Sequence, residues 1–178
     1  MKFDFGYISK YILEYETGIP IIIITGIITV VCNIILILYY TSINNRMFVR
    51  KASVYMFIGY VGLVLCTTII FRTGSDEMKY VLCPFKSYIG LYDKMLAQNI
   101  LNVVLFMPIG FLAGAALKKK HIWNAIKIGV GLSLFIEVIQ LISKRGICNI
   151  DDVIHNTLGC AIGFAGFVLC YKIVKRIA

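Results

Sequence analysis

Ser133, Glu137 and Gln140 recur at i, i+4 and i+7 inside the apolar run from Ile122 to Ile142, a spacing that puts them on one face of a helix. Arg145 then leads to Asp151, Asp152 and Asn156, after which the chain is apolar again to Tyr171. Carboxylates and carboxamides inside membrane-length apolar runs are costly, so they face a protein interior or a water cavity and mark a site. One chemistry open to this set is acid–base work by Glu137 and Asp152. No nucleophile stands beside them, and GxSxG, HExxH, P-loop and CxxC patterns are all missing. The other readings are non-catalytic: a polar cluster that recognises a ligand at headgroup depth, or one that only locks helices together.

The composition dictates where such residues must sit. The chain has 178 residues, 60% hydrophobic and 15% charged, with a mean hydropathy of +0.86. Soluble domains are less apolar and more charged, so the expected fold class is all-α, a polytopic integral membrane helix bundle. Spans of roughly 20 apolar residues fall at Ile19–Tyr40, Ser53–Phe71, Asn99–Leu117, Ile122–Ile142 and Val153–Tyr171. Residues 1–52 hold an N-terminal interfacial segment, the first span and a basic loop; residues 53–178 hold a four-span domain. The first eighteen residues lack the basic start and cleavage pattern of a removable signal, and Phe3, Phe5, Tyr7, Tyr11 and Tyr15 suit a membrane interface.

The net charge of +9 does not point to nucleic acid. Arg46, Arg50 and Lys51, then Lys118, Lys119 and Lys120, then Lys172, Lys175 and Arg176 flank apolar spans without acidic companions. Five spans put all three clusters on one side, which the positive-inside rule assigns to the cytoplasm. The expected topology is therefore a multi-pass cell-membrane protein with its amino terminus outside and its carboxyl terminus in the cytoplasm. The basic clusters are topology signals first, although they can also meet anionic headgroups. No cofactor is expected, and His121 and His155 are too isolated for a metal site. Cys83 and Cys148 share the outer face and could pair, which spacing alone does not establish.

The span ends bring the polar residues to one membrane side. Arg72 closes the second span, Asn99 and Asn102 open the third, Glu137 and Gln140 end the fourth, and Asp152 and Asn156 start the fifth. At 1.5 Å per residue, Asn102, Glu137 and Asn156 sit roughly 5–8 Å below that surface. An ionised Glu137 requires a partner there, with Arg145 or Arg72 expected. One of Asp151 and Asp152 suits the cap of the last helix. Pro108 removes a hydrogen bond from the third helix and is expected to kink it. Gly110 and Gly114, with Gly159, Gly163 and Gly166, have the spacing that lets helices approach closely, giving a pocket with a closed floor and an outward mouth.

Several of these residues fall into a familiar series. Asn102-Val-Val-Leu-Phe-Met-Pro-Ile-Gly-Phe111 resembles the N-xx-LF-x-P-x-GF element of the VanZ-like family. Ser133-Leu-Phe-Ile-Glu-Val-Ile-Gln140, Arg145 and Ile150-Asp-Asp-Val-Ile-His-Asn-Thr-Leu-Gly159 resemble its S-xx-IE-xx-Q, R and (I/V)DD-xxx-NT-x-G elements. Cys83-Pro84-Phe85-Lys86-Ser87 resembles a short PF-x-S loop ahead of them. Val81 stands where an Asn is expected, and Asn149 where an acidic residue often precedes the IDD element.

The resemblance implies a small bacterial membrane protein of a family associated with resistance to the lipoglycopeptide teicoplanin. It adds no agreed catalytic residues. The candidate functional cluster is Asn102, Glu137, Gln140, Arg145, Asp151, Asp152 and Asn156, supported by Arg72, Pro84, Pro108, Ser133 and Gly159. Membrane lipids are the expected partners, with a lipid-linked cell-wall precursor or a lipoglycopeptide as candidate ligand and a homo-oligomer compatible with the surface. The leading expectation is action at the outer face on glycopeptide susceptibility or envelope precursors. Its alternatives are an intramembrane enzyme acting on lipid-linked glycan or acyl groups through Glu137 and Asp152, and a non-catalytic assembly protein.

Overall fold

A backbone in hydrocarbon must satisfy its hydrogen bonds internally, which leaves helices as the means by which these apolar runs cross. The structure, a computed structural model, describes residues 18–42, 46–70, 78–89, 93–117 and 121–177. Six α-helices occur among them: α1 (Gly18–Ser42), α2 (Arg46–Leu65), the short α3 (Lys86–Ile89), α4 (Asp93–Ala116), α5 (Ile122–Ser143) and α6 (Ile150–Ile177). A π-helical turn, Cys66–Ile70, extends α2, and two three-residue strands, β1 (Lys79–Val81) and β2 (Ile147–Asn149), complete the description. Five helices are long and apolar enough to cross a membrane, at Pro20–Leu38, Met47–Ile69, Leu96–Ala116, Ile122–Ser143 and Ile150–Arg176. The protein is a multi-pass membrane bundle. The N-terminal interfacial segment, Arg72 and the Lys118–Lys120 cluster lie outside the described residues.

The second helix starts at Arg46 rather than Ser53, and the third starts at Asp93 rather than Asn99. Apolar content marks the hydrocarbon, whereas helices continue past it; long side chains such as Arg50 and Lys51 can reach back to the headgroups.

α4 is the hub. Its spanning window is 61% buried, against 33% or less for the other four, and it contacts every other α-helix described. α1 instead turns Ile21, Ile24, Ile27, Ile28 and Ile35 outward, an apolar surface suited to lipid. Within that helix Asn33 is fully buried and donates to Ser53 Oγ of α2 at 2.8 Å. Ser53 donates in turn to the Val49 carbonyl at 2.8 Å. Such side-chain bonds hold helices together where burial of apolar surface supplies little drive.

Pro108 lies inside α4, which continues through it as one helix. The Tyr60 hydroxyl of α2 donates to the nearby Leu105 carbonyl at 3.1 Å, close to the bond the proline removes. Gly26 of α1 makes room for both; a Cβ there would stand 2.8 Å from the Tyr60 hydroxyl and 2.9 Å from Pro108 Cγ. Three helices therefore meet at the proline.

The tightest crossing joins α4 and α6. A Cβ on Gly110 would run into the Cys160 backbone, and Cβ atoms on Gly159 and Gly163 would run into the Val103 and Met107 carbonyls. Gly114 meets the Phe167 ring in the same way. Gly166 departs from the expected stripe: it is exposed and nothing lies within 4 Å of an added Cβ. The expected glycine series thus runs one step too far.

Gly159→Ala and Gly163→Ala should each destabilise the folded bundle by about 1–3 kcal/mol, since the clash is with backbone rather than a movable side chain. Gly166→Ala should be neutral. Thermal denaturation in detergent separates the two cases.

Candidate functional site

β1 and β2 form a parallel pair at the end of the bundle where α5 stops and α6 begins, with Lys79 opposite Ile147, Tyr80 opposite Cys148 and Val81 opposite Asn149. α5 ends at Ser143 and is capped by Lys144, whose left-handed φ of 54° turns the chain; the next amide, of Arg145, donates to the Gln140 carbonyl at 3.0 Å. β2 then returns beside α5, so that Glu137, 3% exposed, accepts the Asn149 amide N–H through Oε2 at 2.7 Å.

Asn149 organises the start of α6. Its Oδ1 accepts the Asp151 N–H at 3.1 Å, the arrangement of a helix N-cap, while its Nδ2 donates to Asp152 Oδ1 at 3.1 Å. The cap is therefore Asn149 and not one of the aspartates. Asp151 and Asp152 occupy the first turn, where free N–H groups favour negative charge. Gln98 of α4 also donates to Asp152 Oδ2, at 3.4 Å.

Asp151 is fully buried and accepts the Phe85 backbone N–H, which pins the Pro84–Phe85 turn to α6. Phe85 has φ 60°, a conformation rare for a bulky residue and maintained only where surrounding contacts fix it. One turn further along α6, His155 Nδ1 lies 2.6 Å from the Asp151 carbonyl. That oxygen can only accept, so Nδ1 carries the proton. In the neutral ring Nε2 is then the acceptor for the Tyr88 hydroxyl 2.6 Å away. The Tyr88 and His155 rings also stack, with centroids 5.9 Å apart.

Below this layer, Asn156 Nδ2 donates to Ser133 Oγ at 2.7 Å, joining α6 to α5. Gln140 Nε2 donates to the Thr68 carbonyl at 2.9 Å, joining α5 to the π turn. Thr68 lies in the last turn of its helix, where carbonyls have no partner within the helix. Three buried atoms at this end of the bundle have no hydrogen-bond partner among the described residues: Asn102 Nδ2, Gln140 Oε1 and Asn156 Oδ1.

The structure thus brings Glu137, Gln140, Asp151, Asp152, Asn156 and Ser133 to one end of the bundle, all buried, with Asn102 half-buried beside them. Arg145 is exposed at the rim, as is Pro84, while Pro108 and Gly159 are buried at the helix crossings. Gln98, Asn149, Thr68, Tyr88 and His155 belong to the hydrogen-bonded set and were not among the expected site residues. Cys83 and Cys148 are free thiols rather than a disulfide. Among the described residues, no group of three His, Cys, Asp or Glu could hold a metal ion.

The fold and the buried motif residues define a polytopic helical membrane protein with its polar groups gathered at one end. The chain belongs to the VanZ/LLP1 family, whose profile matches residues 27–173. Protein VanZ of Enterococcus faecium is 38% identical over 72 residues, covering 40% of this chain and 43% of that relative. The chain thus spans less than half the length of the curated relative it matches. No solved structure matches the chain.

The Cys148 thiol is pushed above its ordinary pKa, chiefly by burial and then by the Glu137 and Asp152 carboxylates. A raised pKa leaves less thiolate at neutral pH. In a background lacking the other cysteines, Cys148 should react with a maleimide more slowly than exposed Cys83 does in its own single-cysteine background. Glu137→Gln should accelerate Cys148 labelling by removing one negative charge. An unchanged rate would place the Glu137 carboxylate too far from the thiol to act on it.

Proposed function

We propose that this VanZ-family protein acts at the outer membrane face, on teicoplanin-type glycopeptide susceptibility or on the lipid-linked envelope precursor such a drug meets. The observation that carries this reading is the set of unpaired buried atoms: Asn102 Nδ2, Gln140 Oε1 and Asn156 Oδ1. Each unpaired atom costs stability, and, unlike the single unpaired Asn33 Oδ1 beside the α1–α2 bond, three of them gather at one end of the bundle. One donor and two acceptors, under a rim carrying Arg145, are suited to an amide- or hydroxyl-rich ligand arriving from the headgroup region. The family membership supports the antibiotic side of the reading. The orientation rests on the acid-free basic clusters at the opposite end.

The carboxylates hold this ligand surface in shape. Asp151 anchors the Pro84–Phe85 turn, and Glu137 anchors β2. The pairing of Glu137 with Arg145 belongs to the same proposal: a guanidinium at the rim would compensate a carboxylate just beneath it.

In cells where the protein raises glycopeptide tolerance, Glu137→Gln, Arg145→Gln and Asp152→Asn should each reduce the inhibitory concentration toward that of cells lacking it, at normal membrane abundance. Joint neutralisation of Lys118, Lys119 and Lys120 should leave tolerance intact when orientation is preserved. The reverse pattern would move the function to the basic face. Loss of the protein itself in the cluster variants would favour a purely structural role. Reporter fusions at Lys120 and Lys175 should both read cytoplasmic; an exterior signal from either would overturn the orientation.

A further inference from the structure

Among the described residues, α2 and α5 are joined at the carboxylate end and part toward the basic end. Gln140 ties α5 to the π turn of α2. At the basic end, a groove of about 670 Å³ lies between α2 and α5. Arg50 and Val54 line it from α2, Lys127 and Ile128 from α5, and Ala116 and Leu117 from the end of α4. Its volume is in the range of small-molecule sites. Among the described residues, the walls are mostly apolar, with one cation on each side and no acidic lining residue. Among the described residues, neither the Arg50 guanidinium nor the Lys127 ammonium has a hydrogen-bond or ion-pair partner.

Two cations facing one groove repel each other, and the repulsion grows where the surroundings exclude water. An anion between them removes it. Arg50 and Lys127 both lie in the second turn of their helices, close enough to the helix ends to reach the headgroups. Further in, Val54 and Ile128 present hydrocarbon. We propose that this groove binds one anionic phospholipid of the adjoining leaflet. Its phosphodiester lies between Arg50 and Lys127, and one acyl chain runs along Val54 and Ile128. A soluble anion would use the cations and gain nothing from the apolar walls. Basic pockets between spanning helices are known to take anionic headgroups, and Arg offers the phosphate a bidentate fork. This site is independent of the carboxylate cluster.

The test uses the full-length protein in nanodiscs of phosphatidylcholine with added phosphatidylglycerol, and native mass spectrometry of the lipid retained on release. The wild type should retain phosphatidylglycerol in preference to phosphatidylcholine. Arg50→Gln and Lys127→Gln should each cut that preference about fivefold, while the double variant Lys175→Gln/Arg176→Gln, with twice the charge loss but away from the groove, should not. Val54→Trp fills the groove with both cations intact, so it carries the test even if a charge variant fails to fold; it should release the lipid. Retention at the wild-type level by Val54→Trp would overturn the proposal. So would an equal loss in the Lys175/Arg176 control, which would mean diffuse surface charge, or displacement of the lipid by inorganic phosphate alone, which would mean a simple anion site.

Discussion

The carboxylate of Glu137 accepting the Asn149 amide is the interaction on which this end of the bundle depends. A carboxylate near the membrane surface with little access to water must find donors within the protein. β2 supplies one by folding back beside α5, a return made by the left-handed Lys144 together with Gly146 at φ 115°. Once β2 is fixed, Asn149 is in place to cap α6, and the first turn of α6 presents Asp151 to the Phe85 amide. A chain of buried polar bonds thus runs from α5 through β2 into α6 and out to the Pro84–Phe85 turn. Each link satisfies a buried polar group, and fully satisfied networks of this kind fix a unique conformation.

Below that network the bundle is governed by backbone proximity. The carbonyls of Val103 and Met107 on α4 occupy the space that side chains at Gly159 and Gly163 would need, and Gly110 gives way to Cys160 in return. The close α4–α6 crossing brings Asn102 and Asn156 to similar depth on neighbouring helices. Packing and polar chemistry are therefore coupled along the same two helices. α2 and α5 have no comparable glycine interlock; the Gln140–Thr68 bond joins them at one end only, leaving room for the basic groove at the other.

The five spans could be read from apolar run length, and most of the buried polar set from the cost of placing such groups in hydrocarbon. The parts that could not be read have physical reasons. Strands of three residues, held by backbone pairing, leave almost no side-chain pattern, so β1 and β2 were invisible. Asn149 outcompeted the aspartates as the cap because the residue immediately before the helix is the one whose side chain reaches the free N–H groups. Gly166 fitted the spacing of Gly159 and Gly163 yet faces outward, since a helix in contact over one stretch need not stay in contact along its length. Asn33 could have been found: a lone amide in a strongly apolar span implies a partner, and Ser53 provides it.

The two positions where the chain departs from the family motifs, Val81 and Asn149, are directly opposite each other in the β1–β2 register. A polar residue at position 81 facing an acidic one at position 149 would make a cross-strand polar pair. Here an amide at position 149 faces valine at position 81. The amide still supplies the helix cap and still donates to Asp152, whereas an acidic side chain would place a further negative charge among Glu137, Asp151 and Asp152. Four carboxylates in so small a buried space would force at least one to stay protonated. The Val81–Asn149 combination keeps the backbone pairing and the helix cap without adding a charge to the site.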